Sequence, residues 1–208
     1  TDKLREASLH LQAQLSPLLT TEDLDSLRGM EGEASACYFG VWDEMILNQK
    51  TDFRFQGRSR RPPLDRVNAA LSMAYTLLTH DCAAALESIG LDAYVGFMHR
   101  DRPGRTSLAL DLMEELRAPL ADRLVLTLIN TRVLQKQHFR TQAGGAVLLT
   151  DDGRKLLLNA WQSRKKEEIT HPYLKEKLPW GLIPYVQALL LARYLRGDLD
   201  AYPPFLWK

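Results

Sequence analysis

The chain has 208 residues, 45% of them hydrophobic and 25% charged, with a formal net charge of +1. That length supports a substantial buried core, and the near balance of charge excludes a globally basic coat or an acidic disordered tail. No apolar run reaches the ~18 residues of a membrane span, and the two cysteines, Cys37 and Cys82, sit in apolar helical patterns that read as free thiols in a reducing, cytoplasmic setting.

Residues 2–15 are amphipathic and read as a short helix stopped before Pro17, and Thr20 with Asp23 has the form of a capping box. From about residue 22 to 48, Leu24, Leu27, Ala34, Tyr38, Val41, Trp42 and Met45 recur at helical spacing. QKTDFRFQGRSRRPP is a loop, expected to be mobile over 51–61 in the unbound protein, and Pro62–Pro63 open a long, centrally placed helix over roughly 64–89 that Gly90 stops. LDAYVGFMHR is extended or begins a short helix. Helices follow over about 106–117, ending before Pro119, and 120–135. HFRTQAGGAVLLT reads as a hairpin turning at Gly144–Gly145. Asp151 or Asp152 caps a helix reaching about 168, and a last helix spans about 180–196 before Gly197. The expected fold is mainly α, one multi-helix domain over 1–208 with one small β-hairpin, in which 1–20 is the remnant of an interdomain linker or helix.

Three carboxylates, Asp111, Glu114 and Glu115, share one face of the helix that follows His99, at about 100° per residue. A solvated acidic face explains them, and so does a cation held by Asp111 and Glu114 at i and i+3. Glu31 falls inside the apolar stripe of the 22–48 helix while Glu33 falls opposite, so Glu31 is expected to face the core and Glu33 and Glu115 to face water. A buried carboxylate needs an arginine, a histidine or a metal. Gly29 and Gly32 flank Glu31, each at a cost of ~1 kcal/mol against alanine in a helix interior, which suits a close approach of backbone or ligand. Two carboxylates and an imidazole suit Mn²⁺ or Mg²⁺ better than zinc, for which no thiolate or second nearby histidine is present. The arginines cluster twice, around Arg58, Arg60 and Arg61 and again at Arg100, Arg102 and Arg105, on loops where they can clamp phosphates. Phe53, Phe55 and Tyr75 are candidates for stacking on unpaired bases.

MEGEASACYF, FQGRSRRPPLDRVNAALSMAYTLL, GFMHRDRPGRTSLALDLMEELR and ADRLVLTLIN together resemble the CRISPR-associated endonuclease and integrase family of spacer acquisition. The tail from HFRTQAGGAVLLT to DLDAYPPF is similar to its type I subtype C branch. The resemblance covers about residues 1–206 and implies a metal held by Glu31, His99 and Glu114, with Asp111 as a further catalytic acid and Tyr75 near the site. With Arg58, Arg60, Arg61 and Arg105, Tyr75 makes up the expected DNA-binding set. It implies insertion of short foreign DNA fragments into a repeat array by attack of a 3′-hydroxyl. It further implies double-stranded DNA with 3′ ends as substrate, a homodimer, a small ferredoxin-like partner protein and an end-trimming nuclease. The resemblance also implies a β-rich N-terminal domain, which is expected to lie outside these 208 residues. The alternative from another class is a non-catalytic helical DNA-binding or scaffolding domain.

Overall fold

Helical periodicity sets most of the architecture. The computed structural model describes residues 1–207. In chain order the helices are α1 (Asp2–Ala13), α2 (Leu15–Thr20), α3 (Leu24–Gly40), α4 (Arg66–Ile89), α5 (Ser107–Leu116), α6 (Arg123–Asn130), α7 (Asp151–Lys166) and α8 (Ile183–Leu195). Two antiparallel hairpins accompany them, β1 (Phe139–Thr141) with β2 (Val147–Leu149), and β3 (Glu168–Thr170) with β4 (Lys177–Pro179). The chain forms two compact units, one from residues 1–69 and 126–150, the other from 70–125 and 151–208.

In the first unit, α3 starts at Asp23, whose carboxylate accepts from the Ser26 N–H at 2.7 Å. Asp23 itself is therefore the cap, not Thr20, because Asp23 already has the extended backbone of a cap residue. Only Phe39 of α3 is fully buried. It joins Trp42, Ile46, Phe53 and Phe55, with Phe55 5.2 Å from the Trp42 ring and 6.0 Å from Phe39. Phe53 meets Phe139 of β1 edge-on at 5.6 Å. The loop, expected to be mobile over 51–61, is thus pinned through two core aromatics, which removes Phe53 and Phe55 as base-stacking candidates. Buried Asn68 fixes it further. Its side-chain oxygen accepts from Arg58 Nη1 at 2.6 Å and Ser59 N at 3.0 Å, and its amide donates to the Gly57 carbonyl at 2.8 Å. The predicted hairpin forms with Gly145 at φ +80°, and Val147 N donates to the Pro63 carbonyl at 2.9 Å.

In the second unit, Leu71, Ala74, Leu78, Cys82 and Leu86 of α4 form a fully or nearly fully buried stripe at three- and four-residue steps. Asp81, on the same helix, accepts from Trp161 Nε1 at 3.0 Å and from Lys165 Nζ at 2.7 Å, which ties α7 to it. The helix expected to stop before Pro119 instead passes through it as a π turn, Arg117–Asp122, into α6. Proline has no N–H to lose, and the wider turn relieves its ring's clash with the preceding carbonyl. The β3–β4 hairpin was not expected. EITHPYLKEKLP carries no two-residue turn signal, and the organiser is His171, fully buried, whose Nδ1 accepts from the N–H groups of Tyr173 and Leu174 at 3.2 Å each.

Candidate active site around His99

The second unit gathers His99, Asp111 and Glu114 on one short path of chain. Ala93 is buried, and its carbonyl accepts from Leu108 N at 3.0 Å and Ala109 N at 3.3 Å, two of the donors a helix N-terminus leaves unpaired. That closes the loop 94–106 onto the start of α5. Gly96 makes the closure possible. A Cβ there would stand 2.7 Å from Ser107 Cβ, 2.9 Å from Asp111 Oδ2 and 3.0 Å from the His99 carbonyl.

Asp111 is the hub. Its Oδ2 accepts from Phe97 N at 2.6 Å and Met98 N at 3.0 Å, and its Oδ1 accepts from His99 N at 3.0 Å and His99 Nδ1 at 2.6 Å. Burial works to raise the Asp111 carboxyl, but the His99 side chain and the three backbone donors outweigh it and hold it below the usual carboxylate range. Since a carboxylate only accepts, His99 donates from Nδ1, and Nε2 lies on the side of the ring away from Asp111. A second-sphere carboxylate on one imidazole nitrogen is the arrangement that orients a metal-binding histidine. Asp111 is thereby a holder of His99, with four hydrogen bonds already on its two oxygens.

Glu114 lies one turn on. Arg117, three residues later, reaches its two oxygens from Nη1 at 2.9 and 2.8 Å. The Arg117 guanidinium also sits over the Tyr75 ring, 5.7 Å from its centroid, and the Tyr75 hydroxyl donates to Asp122 Oδ1 at 2.5 Å. Asp122 is 1% exposed. Tyr75, expected to contact DNA, is thus engaged at both ring and hydroxyl inside its own unit. Glu115, expected to face water, instead accepts from Tyr202 Oη, Gln187 Nε2 at 2.7 Å and Phe205 N at 2.7 Å. Burial pushes its carboxyl up, against those donors. The acidic face of α5 is therefore divided: Asp111 holds His99 and its loop, Glu114 pairs with Arg117, and Glu115 anchors the C-terminal segment.

Glu31 is in the first unit and is exposed, as Glu33 is. Glu31 does not face the core as expected, because Leu24 on the same stripe is itself 41% exposed and α3 buries only its C-terminal end. Arg58, expected on DNA, points inward to Asn68 and lies 5.9 Å from the Phe39 ring centroid. Arg60 and Arg61 are exposed and Arg105 is half-buried. Among the described residues, no three His, Cys, Asp or Glu side chains are grouped to hold a metal ion. Sequence reasoning missed Gly96, Arg117, Asp122 and Asn68. Of these only Arg117 was legible, as a cation three residues after Glu114.

Residues 1–163 match the family model of the CRISPR associated protein Cas1. The chain is 64% identical to a CRISPR-associated endonuclease Cas1 of Rhodospirillum rubrum over 91% of its own length and 55% of that protein's. It is 50% identical to the Leptospira interrogans CRISPR-associated endonuclease Cas1 over 99% of its length and 80% of that protein's. So the chain spans little more than half of the first relative. Among solved structures, a casposase bound to its integration product is similar at 25% identity and TM-score 0.81, over 90% of this chain and 52% of the other. A Cas6-RT-Cas1–Cas2 complex is similar at 25% identity and TM-score 0.79, over 98% and 22%.

Proposed function

The chain belongs to the CRISPR-associated Cas1 family, and on that premise we propose that it is the catalytic part of a metal-dependent DNA endonuclease and integrase. In this reading it inserts short foreign DNA fragments into a CRISPR repeat array, the adaptation step of prokaryotic antiviral defence, in the type I subtype C branch. The observation that carries the reading is the Asp111–His99 pair, which fixes one imidazole nitrogen and leaves Nε2, on the other side of the ring, as the nitrogen not used by Asp111. The endonuclease relatives and the casposase neighbour support the same chemistry.

His99 Nε2 and the Glu114 carboxylate are the donors that would hold a divalent cation, and the family resemblance adds Glu31. Nitrogen and oxygen donors without thiolate suit Mn²⁺ or Mg²⁺. When bound, the cation supplies activation of the attacking 3′-hydroxyl and charge stabilisation at the attacked phosphate. Asp111 keeps His99 in the Nδ1–H form, and Arg117 holds the Glu114 carboxylate in one rotamer. Arg60, Arg61 and Arg105 contact phosphates. The fragment's 3′-oxygen bonds to phosphorus as the P–O3′ bond of the repeat strand breaks. The attacking hydroxyl's proton goes to solvent and the departing 3′-oxygen takes one up. One phosphodiester forms for each one broken, so no covalent enzyme intermediate is needed. With water as the nucleophile the same site is an endonuclease.

The substrate is double-stranded DNA with 3′ ends, and the assembly is a homodimer with a small ferredoxin-like partner protein and an end-trimming nuclease, in the cytoplasm. The Cas1–Cas2 neighbour supports a protein partner, and no helix among the described residues is long and apolar enough to cross a membrane. Strand transfer of a labelled fragment into a repeat-bearing plasmid with Mn²⁺ tests the reading. The protein is expected to be active, and His99→Ala and Glu114→Ala inactive at unchanged helix content. Full activity in His99→Ala overturns it. A non-catalytic DNA-binding domain is the second reading, favoured by the Glu114–Arg117 ion pair and by the lack of a three-residue metal group among the described residues. It predicts DNA binding with no strand transfer under any metal.

A further inference from the structure

The net charge of +1 conceals a strong polarisation of the first unit. Residues 1–50 are rich in acids, among them Glu22, Asp23, Asp25, Glu31 and Glu33, and carry four arginines and lysines, Lys3, Arg5, Arg28 and Lys50. Residues 51–69 carry five arginines against Asp52 and Asp65. Residues 126–150 carry Arg132, Lys136 and Arg140 and no acid at all. The two basic segments are joined in space. Phe53 packs on Phe139, Lys136 Nζ is 3.6 Å from Asp52, and Val147 on the free edge of β2 takes the Pro63 carbonyl at 2.9 Å. The loop thus runs beside β2 as a third rung next to the hairpin.

The hairpin has two sides. Phe139, Val147 and Leu149 are buried, and Arg140, paired with Leu148, alternates to the other side and is exposed. Arg60 and Arg61 are exposed just before the rung at Pro63. The two acids of this region are weak rivals for an anion. Asp65 accepts from Asn68 N at 2.7 Å and from the Asn68 side-chain amide, and Asp52 lies beside Lys136. The tip, Gln142 to Ala146, is uncharged and has no side chain larger than glutamine, so it offers no bulk against a rod-like polyanion. Asn68 and the core aromatics hold the rung rigidly, so little ordering entropy opposes binding there.

We infer that the β1–β2 hairpin and the loop 56–63 form one face that binds the phosphate backbone of duplex DNA, with Arg140 joining Arg60 and Arg61 in contact with phosphates. The inference rests on the reading that DNA is the substrate, and it adds the hairpin to the surface that binds it. A row of arginines whose neighbouring acids are already engaged recognises phosphates by charge and forked hydrogen bonds and carries no base sequence.

Binding of a fluorescent DNA duplex, read by anisotropy across a salt series with chelator present, tests the face without any chemistry. Arg140→Gln is expected to weaken binding and lower the salt slope by about 0.9, and Arg60→Gln with Arg61→Gln by about twice that. Arg140→Lys is expected to keep the slope. Arg5→Gln on α1 removes the same charge from the acidic segment and is expected to change nothing. Arg140 is exposed, so its melting midpoint should not move. A slope unchanged by Arg140→Gln, or lowered equally by Arg5→Gln, overturns the face, as does tighter binding to an RNA duplex than to DNA. A lowered slope in a protein that transfers no strand supports the face and overturns the catalytic reading. An unchanged slope in an active protein overturns the face alone.

Discussion

Asp111 illustrates how one carboxylate is used up by its own loop. Asp111→Asn keeps the shape but puts an NH₂ against donors that now find no acceptor. We predict a loss of roughly 1–3 kcal/mol per stranded donor pair, with strand transfer abolished, measured by urea unfolding and the plasmid assay on one sample. The pH dependence has a definite sign. The folded Asp111 carboxyl titrates below its unfolded value of ~3.9, so between the two values the unfolded chain holds more protons. Its contribution is complete above about pH 5 and is lost as pH falls through the folded value. The stability gap between the wild type and Asp111→Asn should therefore close in acid. Gly96→Ala should act on the same hub from the other side, because its methyl group would overlap Ser107 and Asp111 Oδ2. Overpacking of this kind costs about 1–3 kcal/mol, and a urea midpoint equal to wild type would show that the loop yields freely. Cys82 is buried, and burial pushes its thiol up, while Cys37 is half-buried with a weak bond to the Ala7 carbonyl at 3.9 Å. A thiol reagent at neutral pH should label Cys37 and spare Cys82 until the protein unfolds.

At the scale of the element, α5 works on two sides at once. One side holds the loop 94–106 through Asp111, and the other holds residues 202–205 through Glu115. Gln187 of α8 links that second side to buried His171, whose Nε2 is 3.0 Å from Gln187 Oε1. Since His171 Nδ1 accepts two backbone bonds, its Nε2 donates, and the Gln187 amide is left to donate to Glu115 and Tyr202. Glu115→Ala strands these neutral donors, and we predict a loss of about 1–3 kcal/mol for each left unpaired. Glu115→Gln should cost less, because the Tyr202 hydroxyl can turn to accept. Burial raises the Glu115 carboxyl, so the folded chain binds more protons than the unfolded one just above pH ~4.3, and stability from this group falls as pH rises through the folded value. Urea midpoints of the two variants across pH 4–8 check both the ranking and the sign. Equal losses for Ala and Gln would mean that the donors repair themselves elsewhere.

At the scale of the whole molecule, neither unit depends on a metal for its core. The core of each is built mainly from aliphatic and aromatic side chains, from Phe39, Trp42 and Phe53 in one to Leu78, Leu116 and Trp161 in the other. Chelation should therefore leave the melting midpoint where it is. A cation that binds only the folded state adds RT ln(1 + [L]/Kd), about 1.4 kcal/mol at ten times Kd. We predict that Mn²⁺ raises the melting midpoint of the wild type and not of His99→Ala. A rise of equal size in both would place the ion elsewhere.

The sequence alone determined what periodicity and local chemistry encode. The long apolar α4, the Gly144–Gly145 hairpin, the α7 and α8 spans and the free cysteines follow from spacings within a few residues of one another. So does the shared face of Asp111, Glu114 and Glu115, which is fixed by 3.6 residues per turn. Tertiary structure decided which of those three looks where, because Glu115 finds its donors on residues 187, 202 and 205 and Asp111 finds its own on 97–99. It decided that Phe53, Phe55 and Arg58 turn inward, since the partners that hold them, Phe139, Trp42 and Asn68, are distant in sequence or carried on another element. It decided that Glu31 is exposed, because a helical wheel says which residues share a side and not how far along the helix that side is covered. The β3–β4 hairpin was hidden for the same reason: its organiser, His171, is an ordinary histidine until Gln187 and two backbone N–H groups close around it.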